Sequence, residues 1–494
     1  MSALKQPPAP EAAGGGKWLV LVIACLAQFM VVLDNTIVNV ALPHIQSGLK
    51  FSTANLQWVV DAYTLIFGGF LMLGGRAADL LGRRRLFIAG VAVFSIASLL
   101  NGVAQDSTWL ILGRGLQGLG GAMVSPAALS IIMTTFNDSR ERTRALGIWS
   151  AIAATGSAFG LILGGILTDL ISWRWNFFVN VPVGILAIVM ALRTIPESRA
   201  DLGHRSFDAF GASTVTGGLL VLVFGIVKAE SWGWGSTKTI AVLVAGVVLL
   251  TIFVLSEARN PAPLVKLSIF KIRSITTANL AMLLVGSAMF GFFFFVSLYV
   301  QDVLGYSPLK AGFAFLPASG SIMIGAGISQ ALIPRAGVRN VAFAGLVLAT
   351  VGTILLAQIP VNGSYVGDLL VGLVPMTFGM GLVFVPVTLL ATSGIDEHDA
   401  GLASGLFNSA QQIGGALGLA ILSTLAANHT SSLLSAGHSL SRASELSARV
   451  GGYHVAFTAA AVMLGSAAVL MVVLLRRSHL EGIEFDPSQP IVAG

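Results

Sequence analysis

The sequence predicts an all-α polytopic membrane protein of fourteen spans, arranged as two six-helix bundles plus two inserted helices. Three observations lead there. Of 494 residues, 55% are hydrophobic and 10% charged, whereas charged residues make up about a quarter of an ordinary soluble domain. The apolar residues fall into separate blocks of about 20 residues or more, and at about 1.5 Å per residue each block crosses a hydrocarbon core roughly 30 Å thick. The basic residues then sort by loop, which orients the spans.

Residues 1–17, rich in Pro, Ala and Gly, read as a disordered cytoplasmic tail. A first bundle, 18–195, has spans expected near 18–42, 56–81, 86–104, 108–133, 144–168 and 177–195. The stretch 196–273 reads as a linker with two extra spans near 209–228 and 238–256. A second bundle, 274–476, has spans expected near 274–301, 311–333, 339–358, 366–391, 400–426 and 452–476, followed by a cytoplasmic tail, 477–494. No small-residue cleavage site follows the first apolar run, so it reads as a retained span. Ala427 to Val450 is expected to be the longest outer loop.

An even number of spans puts both termini on one side. With the N-terminus inside, 20 Lys and Arg fall on the cytoplasmic side and 7 outside, with Arg114 within a helix, which accounts for all 28. The positive-inside rule therefore places both termini in the cytoplasm of a multi-pass protein of the inner membrane. The same sorting explains the net charge of +6 without a nucleic-acid partner. The sole cysteine, Cys25, lies in the first span, so no intrachain disulfide is available. An internal repeat is faintly visible: GRAADLLGRRRLFIAG (Gly75 to Gly90) aligns with QALIPRAGVRNVAFAG (Gln330 to Gly345). The two share a Gly, a basic residue two positions later and a closing Ala-Gly, each between the second and third helix of a six-helix unit.

Several segments carry a more specific signal. They are LDNTIVNVALP (Leu33 to Pro43), GGRAADLLGRRR (Gly74 to Arg85), LILGRGLQGLGGA (Leu110 to Ala122) and WRWNFFVNVPVG (Trp173 to Gly184), with Gly147, Gly156, Gly160, Gly164 and Gly165 spaced along the fifth span. Together they resemble the motifs of the fourteen-helix drug:proton antiporters of the major facilitator superfamily. The resemblance implies a major facilitator fold and proton-coupled efflux of lipophilic or cationic drugs and antibiotics by alternating access. It also implies a coupling role for the first-helix acid and the fourth-helix arginine. One position departs from the pattern: Leu161 stands where the antiporter motif has Pro.

Ionisable side chains within a bilayer persist mainly where they pair or line a cavity. Three lie inside the spans, Asp34, Asp61 and Arg114, each roughly 8 to 13 Å from the outer helix ends at 1.5 Å per residue. A carboxylate moved from water into a low-dielectric site holds its proton more tightly, which proton coupling requires. These three are the expected proton-coupling residues. Asp79, Gly82 and Arg83, in the loop after the second span, are the expected gate: a charge cluster that latches one conformation. Gly156, Gly160, Gly164 and Gly165 are expected to let another helix approach closely. Asn39, Gln117, Phe290, Phe294, Asn408, Gln411 and Gln412 are the candidate cargo contacts, since aromatic surfaces with few polar groups suit lipophilic ligands.

No phosphate-binding loop and no His or Cys cluster occurs in the sequence, so neither enzyme activity, a cofactor nor a metal is expected, and an ion gradient is the expected energy source. The expected partners are a lipophilic small molecule, protons and membrane lipid, with the monomer as the working unit. Two alternatives stand beside efflux of drugs. One is export of a defined metabolite or lipid by the same scaffold; the other is a non-transporting receptor or scaffold, which has no need of buried charges. Two acids in one cavity favour a cationic cargo unless they carry only protons.

Overall fold

The computed structural model describes residues 14–136, 138–199, 208–261, 263–392, 400–436 and 441–475. The expected tail 477–494 and most of the expected tail 1–17 lie outside them. The long helices, in order, are α1 (Gly14–Leu49), α2 (Trp58–Leu81), α3 (Arg83–Gly102), α4 (Ser107–Thr135), α5 (Ser139–Leu170) and α6 (Asn180–Thr194). Then come α7 (Ala209–Trp232) and α8 (Thr237–Arg259). The last six are α9 (Arg273–Val303), α10 (Pro308–Ala336), α11 (Val338–Leu356), α12 (Tyr365–Thr392), α13 (Ala400–Ala436) and α14 (Arg442–Leu474). Thirteen spans among the described residues are long and apolar enough to cross a membrane. Helix α5, 32 residues long, supplies the fourteenth, with its apolar part described over Phe159–Leu170.

One stretch differs from expectation. Ala427 to Val450 is not one long loop: α13 continues to Ala436, and α14 starts at Arg442, where the Ser441 side chain accepts a hydrogen bond from the Ser444 N–H. The Ser and His content that suggested a loop is tolerated on helix ends that project beyond the apolar blocks, and the Ser441 cap satisfies one of the free N–H groups there.

The two six-helix halves repeat one packing pattern. In the first, α1 packs on α5, α2 and α3 on α4, and α3 on α6; in the second, α9 packs on α13, α10 and α11 on α12, and α11 on α14. The faint sequence repeat falls at equivalent turns. Gly82 ends α2 with φ +112° and Gly337 ends α10 with φ +80°, a backbone region that glycine enters without the steric penalty of a Cβ. Two residues later, Arg84 donates to the Leu192 carbonyl at the end of α6, and Arg339 donates to the Val472 carbonyl at the end of α14, both at 2.9 Å.

Within the first bundle a glycine row sets the α1–α5 distance. A Cβ on Gly156 would meet Phe29 and Val32, one on Gly160 would meet Thr36, and one on Gly164 would lie 2.6 Å from the Ile37 carbonyl oxygen. Every fourth residue of α5 is thus pressed on α1, the close approach that small residues permit between membrane helices. Gly165, on the next face, meets the start of α10 instead, at Pro308 and Leu309.

The halves touch along two seams. Helix α2 packs on α13, where the Ser409 hydroxyl donates to the Gly68 carbonyl at 2.9 Å, and α7 lies over this seam, packed on both α2 and α13. On the other side α5 meets α10, with Gly312 against the Leu161 carbonyl. Towards the ends of α1 and α9 that lie away from the Arg83–Arg85 loop, Ser297 donates to the Asn39 carbonyl at 2.6 Å and Gln301 to the Val40 carbonyl at 2.8 Å.

Candidate functional site

Asp34 is fully buried near the middle of α1, and each carboxylate oxygen is engaged. Its Oδ2 accepts from Arg114 Nη1 at 2.5 Å, and its Oδ1 accepts from Gln117 Nε2 at 2.7 Å and Asn180 Nδ2 at 2.9 Å. Arg114 and Gln117 are one turn apart on α4 and so point the same way. Arg114 also donates through Nε to the Val59 carbonyl at 2.8 Å and through Nη1 to Gln117 Oε1 at 2.9 Å. Its guanidinium lies 4.5 Å from the Tyr63 ring centroid, a cation–π arrangement. From α3, Asn101 donates to Gln117 Oε1 at 2.8 Å, and the Ser98 hydroxyl receives Asn180 and Gln117 while donating to the Phe177 carbonyl.

This network ties together α1, α2, α3, α4 and α6 around one ion pair. A buried pair of this kind is tolerated where surrounding groups hydrogen-bond to it, and removing either partner strands a charge in low dielectric. The sequence singled out Asp34 and Arg114, and Gln117 as a cargo contact; the structure places Gln117 on Asp34 instead. Ser98, Asn101 and Asn180 were missed. Their signal was present as polar residues inside apolar spans, Ser98 and Asn101 one turn apart, with Asn180 inside the WRWNFFVNVPVG segment.

Asp61 sits apart from this network. It is fully buried on α2, and neither carboxyl oxygen has a hydrogen-bond partner among the described residues. The same holds for the side chain of Gln57, one turn earlier. Trp58 and Leu65, three and four residues to either side on the same face, pack in a cluster with Leu219, Val223 and Val227 of α7 and Ala416 and Ala420 of α13. Asp34 and Asp61 therefore belong to different faces of the bundle.

A cavity of about 220 Å³ lies between the halves. Helix α1 supplies its polar wall through Asn35, Thr36 and Asn39. Met289, Phe290 and Phe293 of α9, Ile322 and Met323 of α10 and Phe384 of α12 supply the apolar wall, with Ser319 of α10, Leu161 of α5 and Val60 of α2 completing it. Of the expected cargo contacts, Asn39 and Phe290 line this cavity. Phe294 does not: it turns to a separate cleft of about 550 Å³ and stacks edge-on against Phe295. Asn408, Gln411 and Gln412 do not line the central cavity either. Asn408 donates to Ser404 of its own helix, and Gln411 and Gln412 lie where Gly286 of α9 and Gly68 of α2 bring neighbouring helices against α13. Glycine-mediated contact there forms a packing seam between α13 and its neighbours.

The expected gate residues cluster at the α2–α3 turn. Arg83 donates to Asp79 Oδ1 through Nη2 at 2.8 Å and Nε at 3.1 Å. A Cβ at Gly82 would run into Glu197, which pairs with Arg85 at 3.6 Å. Arg76, one turn before, reaches across to the Pro263 carbonyl at 3.1 Å, tying the turn to the segment that leads into α9.

Two repeated six-helix bundles meeting around a central cavity, with a buried ion pair beside it, define a multi-pass membrane carrier. The chain belongs to the Major Facilitator Superfamily, whose family model matches residues 24–419. It is 40% identical over 477 residues to the puromycin resistance protein pur8 of Streptomyces alboniger, covering 96% of this chain and 93% of that one. It is 38% identical over 468 residues to the cephamycin export protein CmcT of Amycolatopsis lactamdurans, covering 94% of each. The fold is also that of a bacterial homologue of the human lysosomal transporter Spinster, solved inward-facing and unoccupied, with a TM-score of 0.67, 18% identity, and 96% and 100% of the two chains covered.

Proposed function

We propose that this protein is a proton-driven exporter of lipophilic small molecules, working by alternating access in the cytoplasmic membrane with both termini inside. One observation carries the reading. Within seven residues, α1 holds the buried acid Asp34, the polar cavity wall of Asn35, Thr36 and Asn39, and the Asn39 and Val40 carbonyls that bond the second bundle. A change at Asp34 therefore reaches cargo and closure through a single helix.

Protonating Asp34 removes the charge that Arg114 neutralises and weakens three bonds that fix α1 to α4 and α6. Helix α1 is then freer to move with its cavity wall. Loss of the proton restores the pair. Asp61, buried without a hydrogen-bond partner among the described residues, is a second protonation site, on the side of α2 that faces α7 and α13. The Asp79–Arg83 cluster holds the α2–α3 turn in one arrangement. The orientation follows from the 20 to 7 distribution of basic residues. With the Arg-poor ends of α1 and α9 bonded together, cargo reaches the cavity from the cytoplasmic side. The names of the two relatives, one for resistance and one for export, support efflux as the direction.

The test is uptake into inside-out vesicles with an acidic lumen, over a panel of uncharged, cationic and anionic lipophilic compounds. The reading expects accumulation that collapses when a protonophore dissipates the gradient. Movement of none of the panel, or movement indifferent to the gradient, overturns it.

A further inference from the structure

Among the described residues, none that lines the central cavity is ionisable. Its lining is carboxamide, hydroxyl, aliphatic, thioether and phenyl. The cleft of about 550 Å³, by contrast, carries Lys228, Asp302, Glu445 and Arg449. The nearest candidates for a counter-charge face elsewhere. Asp34 directs both oxygens at donors from α4 and α6 inside the first bundle, while its neighbour Asn35, about 100° further round the helix, reaches the cavity. Asp61 lies on the α7 and α13 side of α2.

The polar wall has capacity to spare. Asn39 donates once, to the Asn35 carbonyl at 3.1 Å, and among the described residues the side chains of Asn35 and Ser319 make no hydrogen bond although both line the cavity. Phe290, Phe293 and Phe384 line the same cavity. Resting on the exporter reading, we propose that this cavity selects uncharged lipophilic cargo with hydrogen-bonding groups, bound by Asn35, Asn39 and Ser319, and that Asp34 and Asp61 handle protons without touching it. A permanent cation entering this site gives up its hydration and finds no carboxylate in exchange.

The experiment uses matched pairs that differ in charge and little else. They are 7-dimethylaminocoumarin against 7-trimethylammoniocoumarin, and dansyl amide against its trimethylammonio counterpart, all tritium-labelled. Binding to the purified full chain is measured by equilibrium dialysis, and transport is measured in proteoliposomes with an imposed pH gradient. The wild type is expected to bind the uncharged member of each pair at least about tenfold more tightly. Asn39→Asp, which places a carboxylate on the polar wall, is expected to shift that ratio at least about tenfold towards the cation. Ser319→Asp makes the same test from α10 should Asn39→Asp fail to fold. Wild-type binding of the cation as tight as or tighter than that of its uncharged twin overturns the proposal, as does binding of neither member of either pair. So does an unchanged charge preference in folded aspartate variants. Charge-selective binding without gradient-driven transport leaves the proposal standing and sinks the exporter reading on which it rests.

Discussion

Asp34 on α1 and Arg114 on α4 meet at 2.5 Å with both side chains out of reach of solvent, at 0% and 1% exposure. Neither belongs to the cavity lining. The pair is instead the hub of a hydrogen-bond network that draws on five of the six helices of the first bundle.

Arg114→Ala is expected to lower stability by about 3–5 kcal/mol, because it strands the Asp34 carboxylate without its cation. Removing both charges, with Asp34→Asn and Arg114→Met together, is expected to recover most of that loss. Arg114→Lys is expected to fold and yet lose at least about tenfold in gradient-driven transport, since an ammonium does not supply at one time the Asp34, Gln117 and Val59 bonds that the guanidinium makes. Thermal unfolding of the purified variants, followed by vesicle transport, checks all three.

Gly164 and Gly147 lie on one helix and make opposite demands. A Cβ at Gly164 would sit 2.6 Å from the Ile37 carbonyl oxygen, whereas nothing lies within 4 Å of one at Gly147. Gly164→Ala is expected to destabilise by about 1–3 kcal/mol through forced separation of α1 and α5. Gly147→Ala is expected to be neutral or stabilising by up to about 1 kcal/mol, from helix propensity. Denaturation midpoints measured side by side decide this, and equal losses for the two would contradict the packing account.

Ser297 and Gln301 bond across the halves to the carbonyls of Asn39 and Val40. Replacing either by Ala is expected to shift the balance between closed and open forms at that end by about 0.5–1.5 kcal/mol, a roughly two- to tenfold change in population. The check is the rate at which a membrane-impermeant maleimide, added from the Arg-poor side, labels a cysteine introduced at Val60 of the cavity wall. Faster labelling in the Ala variants is the expected outcome.

The helical fold was legible because burial in lipid leaves a mark on composition: long apolar blocks have few other uses. The repeat was also readable at Gly82 and Gly337, where a left-handed turn requires a residue type that persists in both halves. The ends of α13 and α14 were not, because a helix that leaves the membrane loses the apolar pattern that announced it. At the site, charge inside a span pointed to Asp34, Asp61 and Arg114. Which residues share a site depended on helix rotation and long-range packing. Sequence spacing could not say that Gln117 turns to Asp34, that Phe294 turns away from the cavity Phe290 lines, or that Asp61 faces α7. Leu161 shows the same limit: it departs from the antiporter motif, and its consequence, a wall of the central cavity, appears only in the packed structure.

Coupling through Asp34 is the central claim, and one measurement reaches it most directly. Asp34→Asn is reconstituted and compared with wild type in two modes, accumulation of cargo driven by a pH gradient, and exchange of labelled for unlabelled cargo with no gradient. Asn preserves the size of the side chain and removes the titrating proton. The variant is predicted to lose gradient-driven accumulation while still exchanging cargo. Gradient-driven accumulation at the wild-type level in Asp34→Asn would contradict the account.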